Sequence, residues 1–201
     1  MKLYLNKPSP YARLVLVVAH EKGLAGQLTL EWTDPWQNLA PLTGVNPFSR
    51  VPALVIDEGP AIVDSACICD YLDHAGSGRK LVPAALAART TGLAKYGLAR
   101  TLTDSAFGAV IERRFNPSVG EPALTARWLA AARSGLDLLE KQPSIPGSTV
   151  EPDLGDLALG VALGYIDFRL QELDWRATRP RLAWWHAQID SRDSFKATGH
   201  A

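Results

Sequence analysis

The feature that most constrains this chain is a change of period along it. Up to residue 75, strand-like alternation of roughly two residues is interleaved with helical repeats of roughly 3.6; beyond residue 82 only the helical repeat is found. Residues 2–5 ("KLYL") read as a strand, and residues 10–22 as an amphipathic helix that stops at Gly23. Residues 27–32 ("QLTLEW") alternate as a half-buried strand does, and an irregular stretch containing Pro and Trp follows as far as Phe48. "ALVI" and "AIV" then flank the turn "DEGP", a hairpin of two antiparallel strands, and residues 64–72 make a short helix. The order β-α-β-(α)-β-β-α suits a four-stranded mixed sheet covered by helices. "HAGSGRK", rich in Gly and Ser, reads as a linker, after which residues 83–115, 121–141, 154–170 and 179–189 are helical by pattern. The expected fold is an α/β domain over residues 1–75, a linker over 76–82 and an all-α domain over 83–201.

Composition narrows the partners. The chain is 47% hydrophobic, enough for a substantial core, and its 21 basic and 21 acidic residues cancel. A nucleic-acid binder needs a basic surplus to displace counterions, so no nucleic-acid partner is expected. The longest apolar run, residues 14–19, is far too short to cross a bilayer, and the N-terminus lacks the basic-then-apolar order of an export signal. Cys67 and Cys69 are the only cysteines; two positions apart on a helix they point about 200° apart, so they are expected to be unpaired, buried small residues in a reducing cytoplasm. His20, His74, His186 and His200 have no zinc-like spacing, and "AGSGRK" completes neither a Walker loop nor a dinucleotide fingerprint, so no metal is expected. The six tryptophans, including the adjacent Trp184 and Trp185, read as packing residues.

Three short motifs can carry chemistry. Ser9 before Pro10 matches a helix N-cap with proline at the first helical position. The same geometry sets a hydroxyl beside unpaired backbone N–H groups and the positive end of the helix dipole, where it can help stabilise an anion such as a thiolate. Pro52 stands just before a strand; a Val51–Pro52 bond in the cis form could turn the Val51 backbone outward to pair with an extended peptide. Asp64 and Ser65 open the helix after the hairpin, again as a cap. They also suit a ligand with both an ammonium and a carboxylate: Asp64 for the first, the Ser65 hydroxyl and N–H for the second.

With these residues in this order the chain resembles the glutathione S-transferase family over nearly its whole length. The likeness lies in "SPYAR", "NPFSRVPALV" and "DSACICDYL", which match the family's thioredoxin-like half. It extends to "EPDLGDLALGVALGYIDF", which looks like a capped central helix with Asp153 as N-cap and Asp156 at N3, and to "SRDSFKATG", which is similar to the ending of bacterial members except that Asp193 stands where a proline is often seen. The resemblance implies glutathione as co-substrate. Its cysteinyl backbone would pair with Val51 beside Pro52, its γ-glutamyl end would meet Asp64 and Ser65, its thiol would point at Ser9, and its glycyl carboxylate would meet Arg50. A small apolar electrophile would lie near Tyr11, Thr103, Ala106 and Phe107. A homodimer in the cytoplasm and a role in detoxification are also implied. The stretch "ARTLTDSAF" departs from relatives with an acidic pair on this helix: Asp104 is its one acid, beside Arg100 and Thr101.

Serine at position 9 selects among chemistries. A glutaredoxin-like reaction needs a cysteine there to form a mixed disulfide, whereas a hydroxyl can only donate to a thiolate. A free thiol ionises near about pH 8.5, so only about 3% is thiolate at pH 7. Lowering that value by roughly two units requires about 2.7 kcal/mol of differential stabilisation, which one charge-assisted hydrogen bond and a helix terminus can supply. The expected function is therefore glutathione transfer to an electrophile. The rival readings are a non-catalytic interaction or regulatory protein of the same fold, and a glutathione-dependent isomerase, lyase or peroxidase.

Overall fold

The computed structural model describes residues 1–117, 122–142 and 146–199. In chain order the elements are β1 (Lys2–Leu5), α1 (Pro10–Glu21), β2 (Thr29–Trp32), α2 (Ala40–Thr43), β3 (Ala53–Val55), β4 (Ile62–Val63), α3 (Ser65–Ala75), α4 (Leu86–Phe115), α5 (Ala123–Lys141), α6 (Leu154–Arg169), α7 (Trp175–Thr178), α8 (Pro180–Asp190) and α9 (Asp193–Lys196). They divide into two compact units: Met1–Val82 together with the segment from Asp193 onward, and Pro83–Arg192. The sequence pattern ran the helical domain on to the end of the chain. The structure differs because α9 packs on α1.

In the first unit the four strands form one mixed sheet in the order β2-β1-β3-β4. β1 is parallel to β2, antiparallel to β3, and β3 is antiparallel to β4. Leu3 and Leu5 on β1, Ala53 and Leu54 on β3, Val15, Val17 and Val18 on α1, and Ile68, Cys69 and Leu72 on α3 are fully buried. The alternation in "QLTLEW" locates a strand but not its burial: all four β2 residues are exposed, Leu30 at 38% and Trp32 at 51%. As the edge strand, β2 has a neighbour on one side only. Cys67 is likewise exposed rather than buried, while Cys69 is buried; neither is in a disulfide. The tryptophans divide in the same way, with Trp175 and Trp185 buried but Trp32, Trp36 and Trp184 exposed.

The Gly- and Ser-containing stretch after α3 is stitched to the sheet-covering helices. Lys22, at the end of α1, and Asp73, near the end of α3, are each 1% exposed and form an ion pair at 3.1 Å. The Asp73 carboxylate also accepts from the N–H of Leu81 at 2.9 Å and of Val82 at 3.1 Å, and the Lys22 ammonium donates to the carbonyl of Arg79 at 2.8 Å. Ser77 N–H donates to the Lys22 carbonyl at 3.1 Å. Gly76 permits this meeting, because a Cβ there would stand 2.5 Å from Lys22 Cβ.

The second unit is helical, with no strand among its described residues. Asp153 caps α6 in a capping box with Asp156, as the pattern "DLGD" implies: Asp156 N–H donates to Asp153 Oδ1 at 3.0 Å and Asp153 N–H to Asp156 Oδ2 at 3.2 Å. What the pattern did not carry is Lys95 of α4, whose buried ammonium reaches Asp153 at 2.6 Å and Asp156 at 2.7 Å. Burial, and after it the neighbouring Asp153 carboxylate, raise the Asp156 carboxyl above its ordinary value, while the Lys95 ammonium and the Gly147 N–H oppose the rise. α4 and α6 approach closely here, since a Cβ on Gly155 would meet the Gly92 carbonyl at 2.8 Å. Arg100 and Asp104, about four and five turns along α4 from its start, pair at 3.0 Å within that helix. Among the described residues no helix is long and apolar enough to cross a membrane.

Candidate functional site

Ser9 is the N-cap of α1. Its backbone is extended (φ −79°, ψ 117°), Pro10 follows at the first helical position, and its Oγ accepts from Ala12 N–H at 3.1 Å. The side chain is 7% exposed. A serine hydroxyl that accepts one bond still has its own proton to give, so capping and donation to an anion are compatible at one oxygen. No acidic residue lies in the first turn to oppose negative charge.

The stretch before β3 is held by residues that the sequence reading did not single out. The Val51–Pro52 bond is cis. Asn46, 3% exposed, donates from Nδ2 to the Arg50 carbonyl at 2.8 Å and accepts from Phe48 N–H at 3.2 Å. Ser49, at φ +48°, donates its hydroxyl to the Pro35 carbonyl at 2.8 Å. The signal that would have found Asn46 is the dipeptide Asn-Pro, a turn former whose side chain bonds the backbone two residues on. Val51 is half-buried, Pro52 buried, and Arg50 exposed.

Asp64 caps α3, and its Oδ1 accepts from Ala66 N–H at 2.8 Å. It does so at φ +73°, a conformation that a residue other than glycine seldom adopts. Such a backbone costs about 1–3 kcal/mol and persists where the surroundings over-determine it, which is most often at a working site. Ser65 is the first helical residue and is 2% exposed.

The strand register brings these pieces to one end of the sheet. Tyr4, near the end of β1, pairs with Ala53, the first residue of β3, and Ala53 pairs with Val63, the last residue of β4. Ser9 follows the end of β1, Val51–Pro52 precedes the start of β3, and Asp64–Ser65 follows the end of β4. Two helix N-termini and one peptide segment therefore share that end. The arrangement favours an extended, partly anionic ligand. Of the residues expected to meet an apolar co-substrate, Tyr11 is half-buried on α1. On α4, Phe107 is half-buried, Ala106 fully buried, and Thr103 6% exposed with its hydroxyl donating to the Ala99 carbonyl at 3.0 Å. Among the described residues no group of three or more His, Cys, Asp or Glu is placed to hold a metal ion.

Comparison with known proteins identifies the family. The family described as "Glutathione S-transferase, N-terminal domain" matches residues 8–75, and "Glutathione S-transferase, C-terminal domain" matches residues 122–188. A glutathione transferase family member from Pseudomonas fluorescens Pf-5, solved with bound glutathione, superposes with a TM-score of 0.92 at 31% identity, covering 100% of this chain and 98% of that one. A glutathione S-transferase from Methylobacillus flagellatus KT, also solved with glutathione, gives a TM-score of 0.86 at 31% identity, covering 100% and 99%. The uncharacterized GST-like protein YibF of Escherichia coli K12 is 26% identical over 98% of each chain.

Proposed function

Because this chain belongs to the glutathione S-transferase family, we propose that it binds glutathione across its first unit and activates the thiol for attack on a small, apolar electrophile. The observation that carries this reading is the convergence of Ser9, cis Val51–Pro52 and Asp64–Ser65 at one end of the sheet. The γ-glutamyl ammonium meets the Asp64 carboxylate, and its carboxylate meets the N-terminus of α3 at Ser65. The cysteinyl backbone pairs with Val51 beside Pro52, and Arg50, exposed to solvent, meets the glycyl carboxylate. The thiol then lies at the N-terminus of α1, where Ser9 Oγ donates to it and the helix dipole favours the thiolate.

In the reaction the thiolate sulfur forms a bond to the electrophilic carbon, and the leaving group departs with the bonding pair. The thiol proton passes to solvent when the thiolate forms. The electrophile meets the ring of Tyr11, in the first turn of α1 just beyond Ser9. Apolar surfaces discriminate weakly between similar substrates, so a broad range of electrophiles is expected.

Calorimetric titration with glutathione, followed by a panel of aryl and alkyl electrophiles, tests the reading. Binding with turnover supports it; binding without turnover of any member would identify an interaction protein of the same fold; no binding would sink it. Asp64→Ala is expected to weaken glutathione binding by about 1.5–3 kcal/mol, the range for a hydrogen bond to a charged group. Since Asp64 also caps α3, thermal unfolding is followed in parallel, and unchanged affinity in a folded variant would remove Asp64 from the site. A two-fold symmetric homodimer is part of the same proposal. Light scattering should then give twice the 21.8 kDa chain mass, and a monomer at micromolar concentration would refute it.

A further inference from the structure

The motif "SRDSFKATG" has no part in the reaction just described, yet the structure builds it into the unit that carries Ser9. Ser194 and Phe195 are 4% and 1% exposed. The Phe195 ring faces the Arg13 guanidinium, with Arg13 Cζ 5.5 Å from the ring centroid. Arg13 is itself buried and lies in the first turn of α1, where its N–H donates to the Ser9 carbonyl at 3.0 Å. The Ser194 hydroxyl donates to Glu21 Oε1 at 2.6 Å, and Glu21 is the last residue of α1. The segment thus grips α1 near both ends, roughly 12 Å apart at the rise of an α-helix. The grip is internally braced. Ala197 N–H donates to the Asp193 carbonyl at 2.9 Å, and the Thr198 hydroxyl donates to the Ser194 carbonyl at 2.8 Å.

We propose that Ser194 and Phe195 are positioning residues for Ser9, holding α1 at two points so that the Ser9 hydroxyl and the helix N-terminus stay aimed at the thiol of bound glutathione. The proposal rests on the reading of Ser9 as the thiol-activating residue. A helix held at one point can tilt or slide about it, and contacts at both ends suppress both motions. A misplacement of about 1 Å is enough to forfeit most of an aligned donor's effect. The rest of glutathione is proposed to lie on Val51 and on the N-terminus of α3, which belong to other elements. Loosening α1 should therefore spoil thiol activation while leaving binding nearly intact. That separation distinguishes positioning from a general structural role.

The test uses the full chain carrying Ser194→Ala and Phe195→Leu together, which keeps apolar bulk in place of the ring. Glutathione affinity is measured by calorimetry, and the thiolate absorbance of the complex is followed against pH. Near pH 6.5 affinity should stay within roughly twofold, while the thiolate titration moves up by about one pH unit, leaving roughly fivefold less thiolate at that pH. Glu21→Gln, which keeps the Oε1 acceptor, should titrate like the wild type. Ser194→Ala alone, the milder change, should move the titration in the same direction if the double variant does not fold. A titration that superimposes on the wild type in a folded variant would overturn the proposal and leave the segment as packing. A wild-type complex whose thiol titrates like free glutathione would overturn the reading of Ser9 itself, and this proposal with it.

Discussion

Replacing Ser9 by alanine is expected to return the thiol of bound glutathione toward the ionisation of the free peptide and to cut activity near pH 6.5 steeply. The hydroxyl is asked for a large share of the roughly 2.7 kcal/mol that a two-unit depression requires, and α1's N-terminus supplies the remainder. The sign follows from the chemistry. In the proposed role Ser9 stabilises the charged form, so its loss should raise the pH at which the thiol ionises, and activity should partly recover under alkaline conditions. Ser9 also accepts the Ala12 N–H, so the same change removes a cap and costs about 1 kcal/mol of stability. The two roles separate by measurement: thermal unfolding reports the cap, and thiolate absorbance of the glutathione complex reports the donor. Superimposable titration curves for wild type and variant would leave Ser9 as a cap alone. Ser9→Cys should lose conjugation and gain mixed-disulfide exchange, because a cysteine at a helix N-terminus can itself become the thiolate.

The second large effect is expected at the buried ion pair between α1 and α3. Asp73→Ala strands the Lys22 ammonium, which is 1% exposed, and removes the acceptor of the Leu81 and Val82 N–H groups. Breaking one side of such a pair costs about 3–5 kcal/mol, a large fraction of the roughly 5–15 kcal/mol that holds a domain folded. A loss below about 1 kcal/mol on denaturant unfolding would contradict this account. Lys22→Met with Asp73→Leu should recover part of the loss, since an apolar pair leaves no stranded charge.

The same pair sets an acid limit. Burial pushes the Asp73 carboxyl up, but the Leu81 N–H, the Lys22 ammonium and the Val82 N–H outweigh it and hold the group below its ordinary value of 3.8. A carboxyl lowered in the folded state contributes stability that is fully present above its unfolded value. That stability is lost as pH falls through the lowered folded value. Stability of the wild type should therefore drop on acidification through this range, and the drop should be smaller in Lys22→Met/Asp73→Leu.

Much of the site was legible because its signals are local. A hydroxyl before a proline, a proline ahead of a strand, and an Asp-Ser pair ahead of an apolar helix each follow from backbone chemistry within a few residues. The caps at Ser9, Asp64 and Asp153 are all present at those positions. The resemblance supplied the common purpose proposed for them, since capping alone is an ordinary feature of helices.

Contacts between distant positions were not legible. Lys22 and Asp73 carry no mark that they will meet, and neither do Lys95 and Asp156, or Ser194 and Glu21. Periodicity says which face of an element is apolar but not whether a neighbour covers it, so β2, expected to be half-buried, and Cys67, expected to be buried, are both exposed. Local sequence by itself determined the order of the strands and long helices, the capped helix starts at Ser9, Asp64 and Asp153, and the residue types at the candidate site, because hydrogen-bond geometry within a turn depends only on neighbours in the chain. The uncapped α4 and α5 begin at Leu86 and Ala123, later than the expected 83 and 121. Tertiary structure alone decided the convergence of three separate motifs at one end of the sheet, the buried ion pairs, and the assignment of the last segment to the first unit. Those depend on strand register and on which surfaces meet, and both are set by burial of the whole chain at once.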